Sequence, residues 1–543
     1  MSQVVFDPSD TVNASNHRNS MLKKGRASLL SSTALVLGLL LAVPQTGQAQ
    51  TWDGQTDTNW SVGTNWNPDG TPNSSAIVTI NNGGLTNQPT VNTNQTVLQT
   101  NVSAGTLTVS ATLTSAVAAS GTGTVIVETT RQIVGNVTMN GTSQVTNSGT
   151  VTGNITINAG TFNNAGTVTG NTTVLGGTLN LNTGTNLADA GALTVDLGTV
   201  NVNASDSVGM LSGTGGTIDI DAGQTLTTTS ATNHTYAGNI TGQGALTKNG
   251  AGTLTLTGTN SVATTTISTA DADIKVTGTG TLTSTTINIA GATNTLNTDG
   301  GALNSAVEIT GDGTLEITGN ETVGFFTGFF GDMDIGTGST LTLTGGGTSE
   351  VTGEIRGDGG LTFDTDTDEV RLAGADGQYT YTGATTVSAG TLATTGDERI
   401  ADVSAVSVSL GATSYSGIAS SGAVSVATTS GDLTVSSAVS AGTSLVLAAG
   451  VATDAGTSTG GNVVLSGAPS LTGTSATIYT GSLAGSTGVA TAVGSGSGNF
   501  RYNSSQSTTN FALALGTGLQ AIYREQPTYS ITANSAAAIT YGA

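Results

Sequence analysis

The chain has 543 residues, with 79 glycines, no cysteine, 8% charged and 4% aromatic residues, and 12 Lys plus Arg against 34 Asp plus Glu, a net charge of −22. Low charge with a mean hydropathy of +0.08 excludes a charged disordered chain, aperiodic glycine excludes collagen, and scarce Leu, Glu and Lys exclude helical bundles. The acidic balance excludes a sequence-tolerant nucleic-acid binder, which needs a basic face, and two histidines without a thiol exclude thiol catalysis and Cys/His metal centres.

Residues 1–49 read as an N-terminal extension and signal peptide. Met21 is a second candidate start. Lys23, Lys24 and Arg26 form a basic n-region, Leu29 to Val43 an apolar run, and Gly47-Gln48-Ala49 a small-x-small cleavage site. The run is too short and interrupted for a membrane span of about 20 residues. Cleavage between Ala49 and Gln50 is expected, leaving His234 as the only histidine of the exported chain. An exported chain permits disulfides; without cysteine, a large repetitive core has to hold this one.

Residues 50–80 hold all three tryptophans, Trp52, Trp60 and Trp66, with Pro68 and Pro72. Large aromatics cover an exposed first layer and prolines discourage strand addition, so the segment reads as an N-terminal cap. A sugar-stacking platform is the alternative use of the same rings.

Residues 81–400 repeat. Gly135-Asn-Val-Thr-Met-Asn140, Gly153-Asn-Ile-Thr-Ile-Asn158 and Gly170-Asn-Thr-Thr-Val-Leu175 start 18 and 17 residues apart. Apolar residues alternate with Thr or Asn in pieces of three to five, the period of a half-buried strand, and Gly or Asn separates the pieces at corners. Such strands cannot bury an apolar face alone, but coiled and stacked they can. The prediction is an all-β parallel β-solenoid, with Ile157 inward, Thr156 outward and roughly 20 turns spaced ~4.8 Å apart. An array of antiparallel sandwiches is the competing fold; its strands usually run longer, about 5–6 residues.

The opening Trp52-Asp53-Gly54, Asn59-Trp60, Asn65-Trp66 and Val78-Thr79-Ile80 resembles the start of bacterial autotransporter passengers. Gly244-Ala-Leu-Thr-Lys-Asn-Gly-Ala-Gly-Thr-Leu-Thr-Leu-Thr-Gly258 resembles the autotransporter-associated β-strand repeat, with a second copy from Ile355 to Leu392. From 401 to 495 the texture turns rich in Ala, Ser and Val. Leu445-Val-Leu-Ala-Ala-Gly450 and Gly461-Asn-Val-Val-Leu-Ser466 there, with Ala521-Ile-Tyr-Arg-Glu-Gln-Pro527 beyond, resemble filamentous-haemagglutinin-type adhesins. Residues 496–543 read as a linker into a truncated tandem β-domain, since Ile539-Thr-Tyr-Gly-Ala543 matches only the opening of one. The resemblance implies a right-handed β-helix and a secreted or cell-surface adhesin associated with the outer membrane. No strand-rich segment with aromatic girdles is present to form a barrel, so the expected partner is a translocator, either a separate protein or the chain's own missing barrel.

Candidate chemistry is sparse. Asn297-Thr-Asp-Gly300 matches one motif of β-helical polygalacturonases, but the chain has no Asp-Asp pair, and glycoside hydrolysis needs two placed carboxylates. Arg356-Gly-Asp358 is an integrin tripeptide that also lies within the repeat's own turn pattern. Acidic pairs at i,i+2, Asp219/Asp221, Asp271/Asp273, Asp332/Asp334 and Asp364/Asp366/Asp368, share a strand face, with Ile220, Ala272 and Met333 between them pointing inward. Asp364, Asp366 and Asp368 are the Ca²⁺ candidates, since Ca²⁺ takes 6–8 oxygens; a solvated acidic face is the plainer reading. Gly324-Phe-Phe-Thr-Gly-Phe-Phe-Gly331 is either stacked core aromatics or a sticky patch. Outward Thr-x-Thr rows are similar to those of ice-binding solenoids, but turn lengths vary. The expectation is a non-enzymatic adhesin or rod with no cofactor, and a β-helical polysaccharide lyase or glycosidase is the alternative.

Overall fold

A computed structural model describes residues 48–183, 187–345, 349–375, 377–394, 406–410, 413–415, 418–420, 422–436, 438–494 and 496–528. It is 48% strand and 2% helix, and its parallel strands stack into a β-solenoid of about 20 turns. At ~4.8 Å per turn the stack is on the order of 100 Å long. One strand pair, Thr51 with Asn67 and Trp52 with Trp66, is antiparallel; the named strands otherwise pair in parallel, which rules out stacked antiparallel sandwiches.

Three faces wrap the core. The first runs from Ala49–Trp52 to Met210–Ser212 and, through a bridge between Gly213 and Tyr236, on to the sheet from His234–Tyr236 to Ile355–Arg356. The second holds nine strands from Thr90–Val91 to Asn239–Gly242, and the third holds eighteen from Asp206–Val208 to Leu519–Tyr523. Within most strands, apolar residues, chiefly Val, Ile and Leu, alternate with half-exposed polar ones, chiefly Thr and Asn, so one phase of the alternation builds the core. Ile157 is fully buried, stacked between Met139 and Val174, while Thr156 lies outward between Thr138 and Thr173.

From Val137–Met139 to Ala192–Val195 turn length varies at the corners and leaves the strands in register. Thr138 pairs with Thr156, Thr156 with Thr173 and Thr173 with Thr194, so successive turns hold 18, 17 and 21 residues. Corner glycines make this stacking possible. Gly160 and Gly177, one turn apart, have φ of 89° and 67°, and a methyl group on either would collide with the carbonyl oxygen of Ser143 or Gly160 beneath it.

Residues 52–387 share one apolar core and 424–523 a second, joined by a continuous third face. Turns lengthen in the second core: Val446 pairs with Thr477, and Thr477 with Gln520. This corrects the expected linker at 496. Leu519–Tyr523 stacks in register on Ser475–Thr480, and Tyr523, fully buried, stacks with Tyr502 and Phe500 at centroid distances of 5.3 and 6.3 Å. Apolar residues in the alternating phase keep the chain folded through Tyr523. Residues 529–543, including Ile539 to Ala543, lie outside the described residues, as do 1–47.

Candidate functional site

The most regular exposed surface is the second face. Its eight strands from Thr106–Val109 to Asn239–Gly242 pair residue on residue without a register shift. One outward row starts at Thr106 and continues through Thr124, Gln144, Thr161, Thr178, Thr199, Thr217 and Asn239. The next starts at Thr108 and continues through Ile126, Thr146, Asn163, Asn180, Asn201, Asp219 and Thr241. Asn180 donates its amide to the Asn163 side chain and Asn201 to that of Asn180, both at 2.7 Å. The ladder fixes these side chains before anything binds. Asp219, accepting from Thr241 at 3.1 Å, is the one ionisable group in the two rows.

Charge lies elsewhere. Residues 81–250 contain six acidic and two basic residues, whereas 270–375 contain sixteen and three. On the downstream first face Lys275 meets Asp299 at 2.7 Å, and Arg356 meets Asp332, Asp334 and Glu354 at 3.2, 3.0 and 3.1 Å. The ammonium of Lys275 holds the Asp299 carboxyl below the ordinary carboxylate range. A general acid needs the opposite shift; at Asp299 the ion pair with Lys275 favours the charged carboxylate instead. Arg356 is tied into its acidic fork, and Asp358 accepts from Thr337 and Thr382 at 3.1 and 2.9 Å. Both ends of the Arg-Gly-Asp tripeptide are thus held by the rod itself.

The tryptophans pack together at the start of the stack. Trp52, Trp60 and Trp66 are fully buried, with centroids 5.0 and 4.7 Å apart in edge-to-face pairs, so they offer no free ring face to a sugar. Trp52 donates to Asn87 O and Trp66 to Trp60 O, both at 2.8 Å. At the expected cleavage point Ala49 is exposed and opens the first strand. Gln50 is buried and donates to the Pro68 and Gly70 carbonyls.

The acidic pairs divide. Ile220, Ala272 and Met333 point inward as expected, but Asp271 sits in a turn at φ 60° and Asp273 on the following strand, so that pair is not two strand neighbours. Asp332 and Asp334 both serve Arg356. Asp364 is exposed and Asp368 half-exposed on one long strand, Gly360–Leu372; the side chain of Asp366 lies outside the described residues. Among the described residues no three His, Cys, Asp or Glu side chains gather as a metal site. Phe326 and Phe329 are buried with centroids 5.1 Å apart, while Phe330 is 61% exposed.

Sequence reasoning missed the charges inside the rod. Lys248 is fully enclosed, and its ammonium donates to the carbonyls of Ser230, Asn249 and Gly250 at 3.1, 2.7 and 2.5 Å. Burial pushes its pKa down to about 8, so with three acceptors it keeps its proton at neutral pH. His234, also inward, has its pKa lowered by burial, and its Nδ1 lies 2.8 Å from Thr232 O. Glu321 is buried, accepts from the Leu303 and Thr322 amides, and has its pKa raised by desolvation. Arg524 clamps the carbonyls of Ala449, Thr459 and Gly461. The signal was in the phase: Lys248 follows Leu246 by two, the inward spacing. An open cleft of about 500 Å³ lies near this polar interior, lined by Asn171, Asp189, Ala190, Met210 and Thr232 among others. Asp189 is its one ionisable lining residue.

These features define a parallel β-solenoid with polar, laterally exposed faces. No family model, curated protein or solved structure matches the chain. Among the described residues no helix is long and apolar enough to cross a membrane.

Proposed function

We propose that the chain is a non-enzymatic adhesin or structural rod of the autotransporter-passenger and haemagglutinin-like kind, carried to the cell surface by a signal peptide and an outer-membrane translocator. It attaches to surfaces, cells or matrix through many weak contacts, so that avidity replaces one deep site. The observation that supports this most directly is the second face, where eight successive turns present two rows of hydroxyls and amides interrupted only by Ile126 and Asp219. The polysaccharide-cleaving alternative requires convergent acid and base groups. The open cleft brings only Asp189, and Asp299 is committed to Lys275.

Residues 135–169 make up two turns, since Gly135, Gly153 and Gly170 stack on one another. Their deletion should shorten the rod without breaking register and lower adhesion in proportion to the face removed. Alanine at Asp299, His234 or Asp358 should leave adhesion at matched surface density within about twofold, because one weak contact among many is worth under ~0.5 kcal/mol. A folded point variant that abolishes attachment, or reducing ends released from pectin or polygalacturonate, would overturn the proposal. Exported material should begin Gln-Thr-Trp-Asp.

A further inference from the structure

We infer that the second face between Thr106 and Thr241 binds a neutral, hydroxyl-rich linear polysaccharide laid along the rod axis. This rests on the adhesin reading and gives it a ligand class.

Three observations carry it. The face is nearly uncharged on a strongly acidic molecule: its sixteen outward positions hold nine threonines, four asparagines and a single ionisable group, Asp219, against a net charge of −22 for the chain. A cationic partner would settle on the acidic turns downstream and an anionic one would be repelled, which leaves a neutral partner for this face. The rows are also continuous, because corners absorb the variation in turn length while the strands of this face keep register. Each turn advances about 4.8 Å, comparable with one pyranose ring in an extended chain, so successive sugars can meet successive turns. Finally, the Asn163, Asn180 and Asn201 amides are ordered in advance by their mutual 2.7 Å hydrogen bonds. Each amide has further donor and acceptor capacity, and a sugar hydroxyl both donates and accepts.

No outward position of these rows is aromatic, so there is no stacking platform and each sugar binds weakly. Affinity has to come from length. A long polymer engages many turns through a high effective concentration, and a short oligomer does not.

The test uses the full chain, a long neutral glucan, a four-unit oligomer of it, and alginate as the anionic control. Retention on the immobilised glucan should be strong and insensitive to added salt, since no charge is screened; the oligomer should compete at least tenfold less well per sugar, and alginate should not bind. Replacing Asn163, Asn180 and Asn201 together by Glu should lower retention at least tenfold. The same triple change at Thr138, Thr156 and Thr173, outward on the first face, should change it less than twofold. If the Glu variant melts early, a triple alanine variant at the same asparagines removes the amides without adding charge, and unchanged retention there overturns the inference. Equal binding of polymer and oligomer per sugar, equal binding of alginate, or equal loss in both triple variants overturns it too. A chain that adheres to cells or matrix yet ignores the glucan refutes this inference and leaves the adhesin reading standing. A chain that adheres to nothing refutes the reading itself.

Discussion

Substituting Asp for Ile157 and, separately, for Thr156 places one new carboxylate on either side of a single strand. Ile157 is fully buried between Met139 and Val174. Removing its side chain forfeits about 2–3 kcal/mol of burial. Asp there has no partner, and burial raises such a carboxyl by roughly 3 units, which is about 4 kcal/mol at neutral pH. The expected total is about 6–7 kcal/mol at pH 7. Because the folded pKa is raised, the charge penalty shrinks as pH falls from the folded pKa towards the unfolded one and is nearly gone there, leaving about 3 kcal/mol near pH 4. Thr156 sits in an outward row between Thr138 and Thr173, where Asp should change stability by less than about 0.5 kcal/mol. Each turn of a solenoid contacts only its neighbours, so the loss is local. Native-state hydrogen exchange of amides 153–158, with melting as a check, reads it. Equal shifts for the two variants, or an Ile157→Asp deficit that does not shrink on acidification, would refute the register.

Glu321 has a folded pKa raised above its unfolded value, so its contribution is full below the unfolded pKa and is lost as pH rises through the folded one. Glu321→Gln should therefore match the parent in acid and melt higher near neutrality, as scanning at several pH values will show. Arg524→Met strips the clamp from the carbonyls of Ala449, Thr459 and Gly461. Limited proteolysis between 450 and 461 should quicken several-fold while the first core is protected as before. Trp66→Ala removes the ring that Trp52 and Trp60 both contact and should cost about 3–5 kcal/mol, seen as early exchange of residues 49–81.

Much of the fold was legible because one phase rule governs it. The alternation of apolar residues with Thr or Asn placed Ile157 in the core, where it is fully buried, and the 18- and 17-residue spacings are the observed turn lengths. Trp52, Trp60 and Trp66, read as an N-terminal cap, are fully buried and pack on one another. Corners were not legible. The sequence does not show that the first two faces break near Met210–Ser212 and Asn239–Gly242 while a third starts at Asp206–Val208, because those shifts depend on how one turn seats on the last. Polarity also concealed Lys248, Glu321 and Arg524: charged side chains read as surface until their backbone partners are known. Residues 496–523 read as a linker because the rings that pack there lie far apart in sequence. Tyr502 and Tyr523 meet only after the chain has gone round an unusually long turn.

That last turn bears on how the chain comes to be folded. For most of the length a turn needs only its predecessor, about 20 residues back, so structure can advance from the tryptophan end as each new segment arrives, with little loop entropy to overcome at any step. Arg524 breaks the pattern. Its acceptors at Ala449 and Gly461 lie 75 and 63 positions earlier, so the excursion at 450–461, already bonded to the preceding turn through Val451, Ala452 and Gly460, receives its side-chain clamp only when nearly the whole described chain has been delivered. Winding is thus stepwise, and locking comes last: a chain stopped short of residue 524 would keep its upper turns wound and leave its final ones unclamped.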